Sequence, residues 1–326
     1  MQRHFIDIQA PEVLALKQDE APEPGPEQIL IAVDFAGVNR ADVLQRLGLY
    51  PVPPDASPIM GLEVAGTVAG VGSEVEGFAV GQRVCALVQG GGYANFAVAR
   101  ADHVLQVPDN LSQEQAAALP EALLTVWHNV FKLGGLTAGE TVLIQGGGSG
   151  IGSVGVQMAK ARGARVISTA GGPEKCQRVL ELGAEFVVDY RSGNMLETMQ
   201  TAGYAGNIDV ILDIAGGDFM PINFELAAPD GRIVCIGVMR GSKTEIDLFH
   251  VLMKRLTLTG STLRGMGPKG RAQGFEEIRR EIMPLVTAGN ISPIVHEIFP
   301  LADAMAAHSL MQSGVHVGKI LLDCRI

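Results

Sequence analysis

The sequence predicts an α/β protein in which a doubly wound parallel sheet of six strands is inserted into a smaller β-rich domain. Three observations carry this. At 326 residues the chain is longer than one hydrophobic core usually grows, so two domains are expected. The first 120 residues alternate short apolar runs with Gly and Pro, whereas from about Glu121 strand-length segments alternate with helix-length ones. One of those strands runs into a glycine-rich turn that opens a helix.

In the first region, Ile29-Leu30-Ile31-Ala32-Val33, Val64-Ala65-Gly66-Thr67-Val68 and Arg83-Val84-Cys85-Ala86-Leu87-Val88 read as strands. Pro-rich loops at 21–27 and 50–58 separate them and can hold a surface site stiffly. In the second region the strands fall at 141–145, 165–169, 186–190, 209–215, 232–237 and 256–260, enough for a complete doubly wound sheet. The remainder carries a helix near 274–287 and strands near 294–299 and 319–323, expected to return to the first domain. The domains are therefore 1–120 with 261–326, and 121–260.

Composition removes several function classes. The formal net charge of -10 opposes nucleic-acid backbones and anionic membranes, which are bound mainly through Lys and Arg. No run of about 18 apolar residues is present to span a bilayer. Residues 1–10 lack an apolar segment with a small-residue cleavage site, so the expected compartment is the cytoplasm. The four cysteines, Cys85, Cys176, Cys235 and Cys324, are far apart and announce neither disulfides nor zinc; Cys235 reads as core filler.

The strand Thr141-Val142-Leu143-Ile144-Gln145 leads into Gly146-Gly147-Gly148-Ser149-Gly150-Ile151-Gly152 and then a helical stretch through Lys160. Glycines there turn the chain, admit a pyrophosphate to the backbone N–H groups and let the helix pack on the strand. Residues 147–152 thus become a dinucleotide phosphate cradle at a helix N-terminus. The second strand ends in Thr169-Ala170-Gly171-Gly172-Pro173-Glu174-Lys175, with no carboxylate at 169–172 to accept from a ribose 2′-hydroxyl. Lys175, with Arg178 and Arg191, offers positive charge and Tyr190 a hydroxyl donor, which favours NADP over NAD. Gly216 and Gly237 end the fourth and fifth strands at the edge where such sheets bind ligands.

The segments 139–143 through 157–160, Asn39-Arg40-Ala41-Asp42 and Gly61-Leu62-Glu63-Val64-Ala65-Gly66 resemble the quinone oxidoreductase and zeta-crystallin branch of the medium-chain dehydrogenase/reductase superfamily. The stretch 39–66, with Gln45-Arg46 and Gly48-Leu49-Tyr50, looks most like its p53-inducible group. The resemblance extends to Val317-Gly318-Lys319-Ile320. It implies a GroES-like catalytic domain, an inserted Rossmann domain, and a homodimer joined through the sixth Rossmann strands. It also implies that Tyr50 and Asn39 line the acceptor or nicotinamide site, that Asp42 orients neighbours, and that Thr125 contacts the nicotinamide side of the cofactor. The chain departs from its relatives at Ser149, often glycine there, and at Gly172, where close relatives carry serine.

Zinc dehydrogenases share this architecture, yet their metal needs a cysteine near position 39 and a histidine at position 62, and here these are Asn39 and Leu62. The expected enzyme is metal-free, with NADPH as hydride source and a quinone or other electrophile as acceptor. Donors aimed at the acceptor oxygen would lower the barrier, with Tyr50, Asn39 and Arg264 as candidates. Structural roles compete: Asn39 as cap of a helix beginning at Arg40, Asp42 as an i,i+4 partner of Arg46, Tyr50 as a packed aromatic. Two other functions fit this scaffold, namely reduction of an activated carbon–carbon double bond, and NADPH binding by a structural or RNA-binding protein.

Overall fold

The computed structural model describes residues 1–54 and 56–326; Asp55, in the loop expected at 50–58, lies outside the described residues. The chain divides into two compact units, 1–122 with 275–326, and 123–274. Residues 261–274 cluster with the second unit, where Ser261 Oγ donates to Asn129 Oδ1 at 2.8 Å and Arg271 to the Leu263 carbonyl at 3.1 Å.

The first unit is built on a sheet whose order is Val295–Pro300, Lys319–Asp323, Gln28–Val38, Glu63–Val71, Arg83–Leu87 and Val104–Gln106, with Phe96–Arg100 also pairing with Gln28–Val38. Gln2–Ala10 and Val13–Glu20 form a separate antiparallel pair. The strand Gln28–Val38 is buried along nearly its whole length, so it reads as a continuous apolar run rather than an alternating one. Ile29, Ile31, Val64, Val84, Val104 and Ile320 form the core around it, each fully buried aliphatic side chain contributing about 1.5–3 kcal/mol.

The second unit is an all-parallel sheet in the order Phe186–Asp189, Arg165–Ala170, Thr141–Ile144, Ile208–Asp213, Ala227–Cys235 and Thr257–Gly260. One row crosses it in register: Phe186, Ile167, Leu143, Ile211, Ile233 and Leu258. Such β-branched and aliphatic runs are required where helices cover both faces. The first strand of the series sits in the middle, with the chain departing first to one side and then to the other. That reversal creates a crevice at the strand's carboxyl end, where the glycine turn lies. Helical structure over 267–287 is observed as Gly267–Glu281 and Met283–Thr287. Among the described residues no helix is long and apolar enough to cross a membrane.

Candidate active site

In the second unit the glycine turn is closed by its own bonds. Gly147 N–H donates to the Thr169 carbonyl at 2.9 Å, Gly146 N–H to Thr169 Oγ1 at 3.1 Å, and Ser149 N–H to the Gly146 carbonyl at 2.8 Å. Ser149 caps the helix Gly150–Ala161, its Oγ accepting from Gly152 N–H at 2.9 Å. These bonds leave the N–H groups of Gly148, Gly150 and Ile151 at the positive end of the helix for an anion. A Cβ at Gly147 would run into Ser168 Oγ and one at Gly152 into the Gly146 carbonyl, which is why glycine is required there. Thr169 is buried and acts on the turn, a use the sequence does not reveal.

At the end of the second strand, Gly172 adopts φ 97° and heads the helix Pro173–Glu181, a conformation that a Cβ would strain. A Cβ on Gly171 would stand 2.6 Å from the Tyr190 hydroxyl and 2.8 Å from Arg191 Nε, so the missing side chain lets phenol and guanidinium lie against this loop. Lys175 lies beside the glycine turn, 3.7 Å from the place of a Cβ on Gly148. Burial and the Arg191 charge hold its ammonium below the usual lysine range. Asp189 accepts from the N–H groups of Gly172 and Arg191, both at 2.9 Å, and these bonds lower its pKa. Arg178 pairs instead with Glu181 at 2.9 Å on an exposed face.

Thr125 is buried and its Oγ1 has no hydrogen-bond partner, while its carbonyl accepts from Asn129 at 2.8 Å. An orphaned hydroxyl of this kind suits a ligand amide. Gly216 stands at φ 61°, its N–H donating to Asp213 Oδ1 at 2.9 Å. Asp213, which no sequence motif marks, is fully buried and also receives Asn223 Nδ2 at 3.2 Å. Gly237 follows the fifth strand, where a Cβ would approach the Ile214 carbonyl to 2.9 Å. Arg264 is half-buried beyond the sixth strand. These residues share the unit with the glycine turn, and no bond ties Gly237 to it.

In the first unit, Asn39 precedes the helix Arg40–Arg46 with extended backbone, and Asp42 reaches back to its N–H at 2.8 Å, half of a capping box. The Asn39 carboxamide turns elsewhere. Nδ2 donates to Glu63 Oε1 at 2.9 Å, and Oδ1 accepts from Lys319 Nζ at 2.6 Å. Lys319 also makes a close ion pair with Glu63 and lies 3.8 Å from Glu121 Oε2. Gly37 faces Glu63 across the sheet, and a Cβ there would stand 2.6 Å from the Glu63 Cγ and Cδ atoms. Glycine in mid-strand thus makes room for the carboxylate.

Asp42 is further tied to Gly61 N–H at 3.3 Å and to the Tyr93 hydroxyl at 3.3 Å. Tyr93 meets His308 Nε2 at 3.0 Å, and His308 Nδ1 accepts from Arg46 Nε at 3.1 Å. Since Nδ1 accepts, the neutral imidazole carries its proton on Nε2 and donates to Tyr93, which donates to Asp42. The pairing of Asp42 with Arg46 allowed by helical spacing is not the one made, because Arg46 is drawn to His308, Gln312 and the Pro11 carbonyl. Burial raises Asp42 to about 7, with Asn39 N–H and Lys319 offsetting part of it, and raises Glu121 to about 7 against the pull of Lys319. Burial also lowers His308 to about 4, helped by Arg46. For Lys319 burial pulls downward, yet Glu63 and Glu121 outweigh it and its pKa lies above the usual value.

Asn39 and Asp42 therefore share one buried network, while Tyr50 stands half-buried on the bend after their helix. Glu63, Glu121, Tyr93, His308 and Lys319 were not singled out from sequence. The signals were a glutamate inside an apolar strand and a lysine opening the apolar run Lys319-Ile320-Leu321-Leu322. The four thiols are unpaired, and burial pushes Cys85 to about 12 and Cys235 to about 11, so both are unreactive. Cys235 is only half-buried, its Sγ 3.9 Å from Asp213 Oδ2.

Residues 25–109 match the family described as alcohol dehydrogenase GroES-like domain, and residues 150–281 that described as zinc-binding dehydrogenase. The chain is 33% identical over 92% of its length to one polypeptide of the phenolphthiocerol/phthiocerol polyketide synthase of Mycobacterium tuberculosis, of which it spans only 14%. It is 30% identical to the quinone oxidoreductase of Rattus norvegicus over 97% of this chain and 95% of that one. Among solved structures, the Escherichia coli quinone oxidoreductase complexed with NADPH matches with TM-score 0.87 and 30% identity, covering 99% of this chain and 100% of the other. The CurK enoyl reductase matches with TM-score 0.85 and 27% identity, covering 99% of both chains. The glycine turn on a six-stranded parallel sheet, the β-rich partner unit and these full-length matches place the chain in the medium-chain dehydrogenase/reductase superfamily, among the relatives of the quinone oxidoreductases.

Proposed function

We propose that this oxidoreductase uses NADPH to reduce a quinone, without zinc. The observation that carries the metal-free reading is Lys319. Its ammonium lies 2.6 Å from Asn39 Oδ1 and in contact with Glu63, so a fixed cation already occupies the carboxylate cluster and would repel a second. Asn39 and Leu62 stand where zinc relatives need thiolate and imidazole, and the residues present do not fit the metal.

The dinucleotide does fit. The N–H groups of Gly148, Gly150 and Ile151 would receive the pyrophosphate, with Gly147, Ser149 and Gly152 shaping the turn. Lys175, Arg191 and the Tyr190 hydroxyl, beside Gly171 and Gly172, would hold the 2′-phosphate. Thr125 Oγ1 would meet the nicotinamide side, and Gly216, Gly237 and Arg264 the rest of the molecule. The cofactor supplies the hydride. A quinone is electron-poor enough to accept it without a Lewis acid, and Asn39 and Tyr50 would donate to the oxygen on which charge develops. Asp42, held by Tyr93, orients the start of the Asn39 helix. A second copy is the proposed partner, joined along Thr257–Gly260, and the unpaired thiols suit a cytoplasmic setting.

A second reading, reduction of an activated carbon–carbon double bond, is favoured by the likeness to the CurK enoyl reductase. NADPH oxidation is measured with an ortho-quinone, a para-quinone and a 2-alkenal, with and without a strong zinc chelator. Quinone turnover that ignores the chelator is expected. Turnover of the alkenal alone would give the site to the second reading, and activity that needs added zinc would end the metal-free one. Cofactor binding with no turnover would leave a binding protein, against whose recognition of RNA the charge of -10 argues.

A further inference from the structure

A primary carboxamide presents two ends of similar shape and opposite polarity. Turned one way, Asn39 offers an N–H to an oxygen that gains negative charge; turned the other, it offers a repelling carbonyl. Nothing in an asparagine decides between them, so the surroundings must. Here each end is met by a buried partner: Lys319 Nζ donates to Oδ1 at 2.6 Å and Glu63 Oε1 accepts from Nδ2 at 2.9 Å. Lys319 has no acceptor capacity and a carboxylate has no donor, so the reverse arrangement would set ammonium against amide N–H and carboxylate against carbonyl.

The clamp is built into the sheet. Lys319 and Glu63 are 3% and 0% exposed, and Gly37 is cut back to backbone to admit the Glu63 side chain. Glu63 Oε2 receives the N–H of Glu121 at 3.0 Å, fixing the carboxylate from its other side. Glu121 itself stands 3.8 Å from the ammonium.

We propose that Lys319 is a positioning residue: clamped by Glu63 and Glu121, its ammonium takes the Asn39 carbonyl oxygen and so commits the remaining Nδ2 hydrogen to the reacting oxygen of the acceptor. This rests on the reading of Asn39 as a group that faces the acceptor. Lys319 touches neither cofactor nor acceptor; it acts through Asn39.

The test is a mutational cycle. Replacing Lys319 alone would strand the Glu63 charge, so both charges are removed together in Lys319→Met/Glu63→Gln, an exchange buried ion pairs often tolerate. It is compared with Asn39→Ala and with the triple variant, using whichever acceptor the wild type turns over. Losing an oriented donor lowers kcat about 10²-fold, so a fall of that order is expected in the double variant. NADPH affinity, followed by the fluorescence of the single tryptophan, Trp127, should stay unchanged. In the Asn39→Ala background the two further changes should cost nothing more. Multiplicative losses, or wild-type kcat in the double variant, would refute the proposal.

A second measurement needs no acceptor and no turnover. With asparagine selectively labelled with ¹⁵N, the Asn39 side-chain amide, assigned by its loss in Asn39→Ala, should exchange its protons slowly in the wild type and at least 10-fold faster in the double variant. Wild-type exchange as fast as that of free asparagine would overturn the clamp even if the double variant failed to fold. A protein inactive on every acceptor but with a slowly exchanging Asn39 amide would instead sink the catalytic reading of Asn39 and leave the clamp standing.

Discussion

At the scale of single residues, cofactor choice turns on charge rather than shape. Lys175 and Arg191 lie close enough for one cation to depress the other, an arrangement that gains when a dianionic phosphate comes between them. Of the nearby carboxylates, Glu174 lies in the first turn of the helix beside Lys175, and Asp189 is bound to two backbone N–H groups and is thereby kept in the loop. Replacing Lys175 with Ala removes a charge-assisted contact of about 1.5–3 kcal/mol, which corresponds to a 10- to 100-fold rise in the Kd for NADPH. NADH, lacking the phosphate, should bind the variant and the wild type within a factor of a few. Titrating both nucleotides against both proteins decides it: equal weakening for the two would mean that Lys175 supports the fold of the turn and not the 2′-phosphate.

At the scale of elements, the short helix Arg40–Arg46 is held at its start by a buried carboxyl, Asp42, that the fold raises to about 7. An unfolded aspartate titrates near 3.9, so between about pH 4 and 7 the native state binds the extra proton. Its contribution to stability is therefore present in full below about 4 and is lost as pH rises through 7. His308, lowered to about 4, works in the opposite sense, losing its contribution as pH falls from about 6.5 toward 4. Comparing Tm of the wild type and Asp42→Asn from pH 5 to 8 isolates the aspartate, and the wild type's advantage should shrink as pH rises. A difference independent of pH would show that Asp42 is ionised in the fold throughout. The same helix shows how far sequence could go. Asn39 and Asp42 were legible because capping and motif signals are local in the chain. Their partners were not, since Glu63, Tyr93, His308 and Lys319 are separated from them by 21 to 280 residues: Glu63 and Lys319 arrive through strand pairing, Tyr93 from a bend and His308 from the helix Ala304–Ser313. The glycine turn was readable down to single residues because strand, turn and helix are contiguous there, yet the turn's dependence on Thr169 is a contact across strands.

At the scale of the whole molecule, one surface remains unexplained by a single copy. Among the described residues the strand Thr257–Gly260 is the last of its sheet and pairs only with Ala227–Cys235, so its outer edge is open to another strand. On the helix Leu248–Lys254, which buries none of its residues, Leu248, Phe249, Leu252 and Met253 are 61–76% exposed; Val238, Met239 and Leu258 are exposed as well. Soluble monomers rarely leave so many large apolar groups together. A two-fold axis beside the edge would let the same strand of two copies pair and the same apolar helix be covered from both sides, closing the assembly. The net charge of -10 per chain opposes this at a distance, so salt should favour it. Sedimentation is expected to give twice the chain mass of 34.4 kDa. A carboxylate introduced into a buried apolar interface costs several kcal/mol, and Leu252→Glu/Phe249→Glu should therefore sediment as a monomer while still binding NADPH. If the wild type is itself monomeric at every salt concentration, or the double variant remains dimeric, the sixth strand is not where two copies meet.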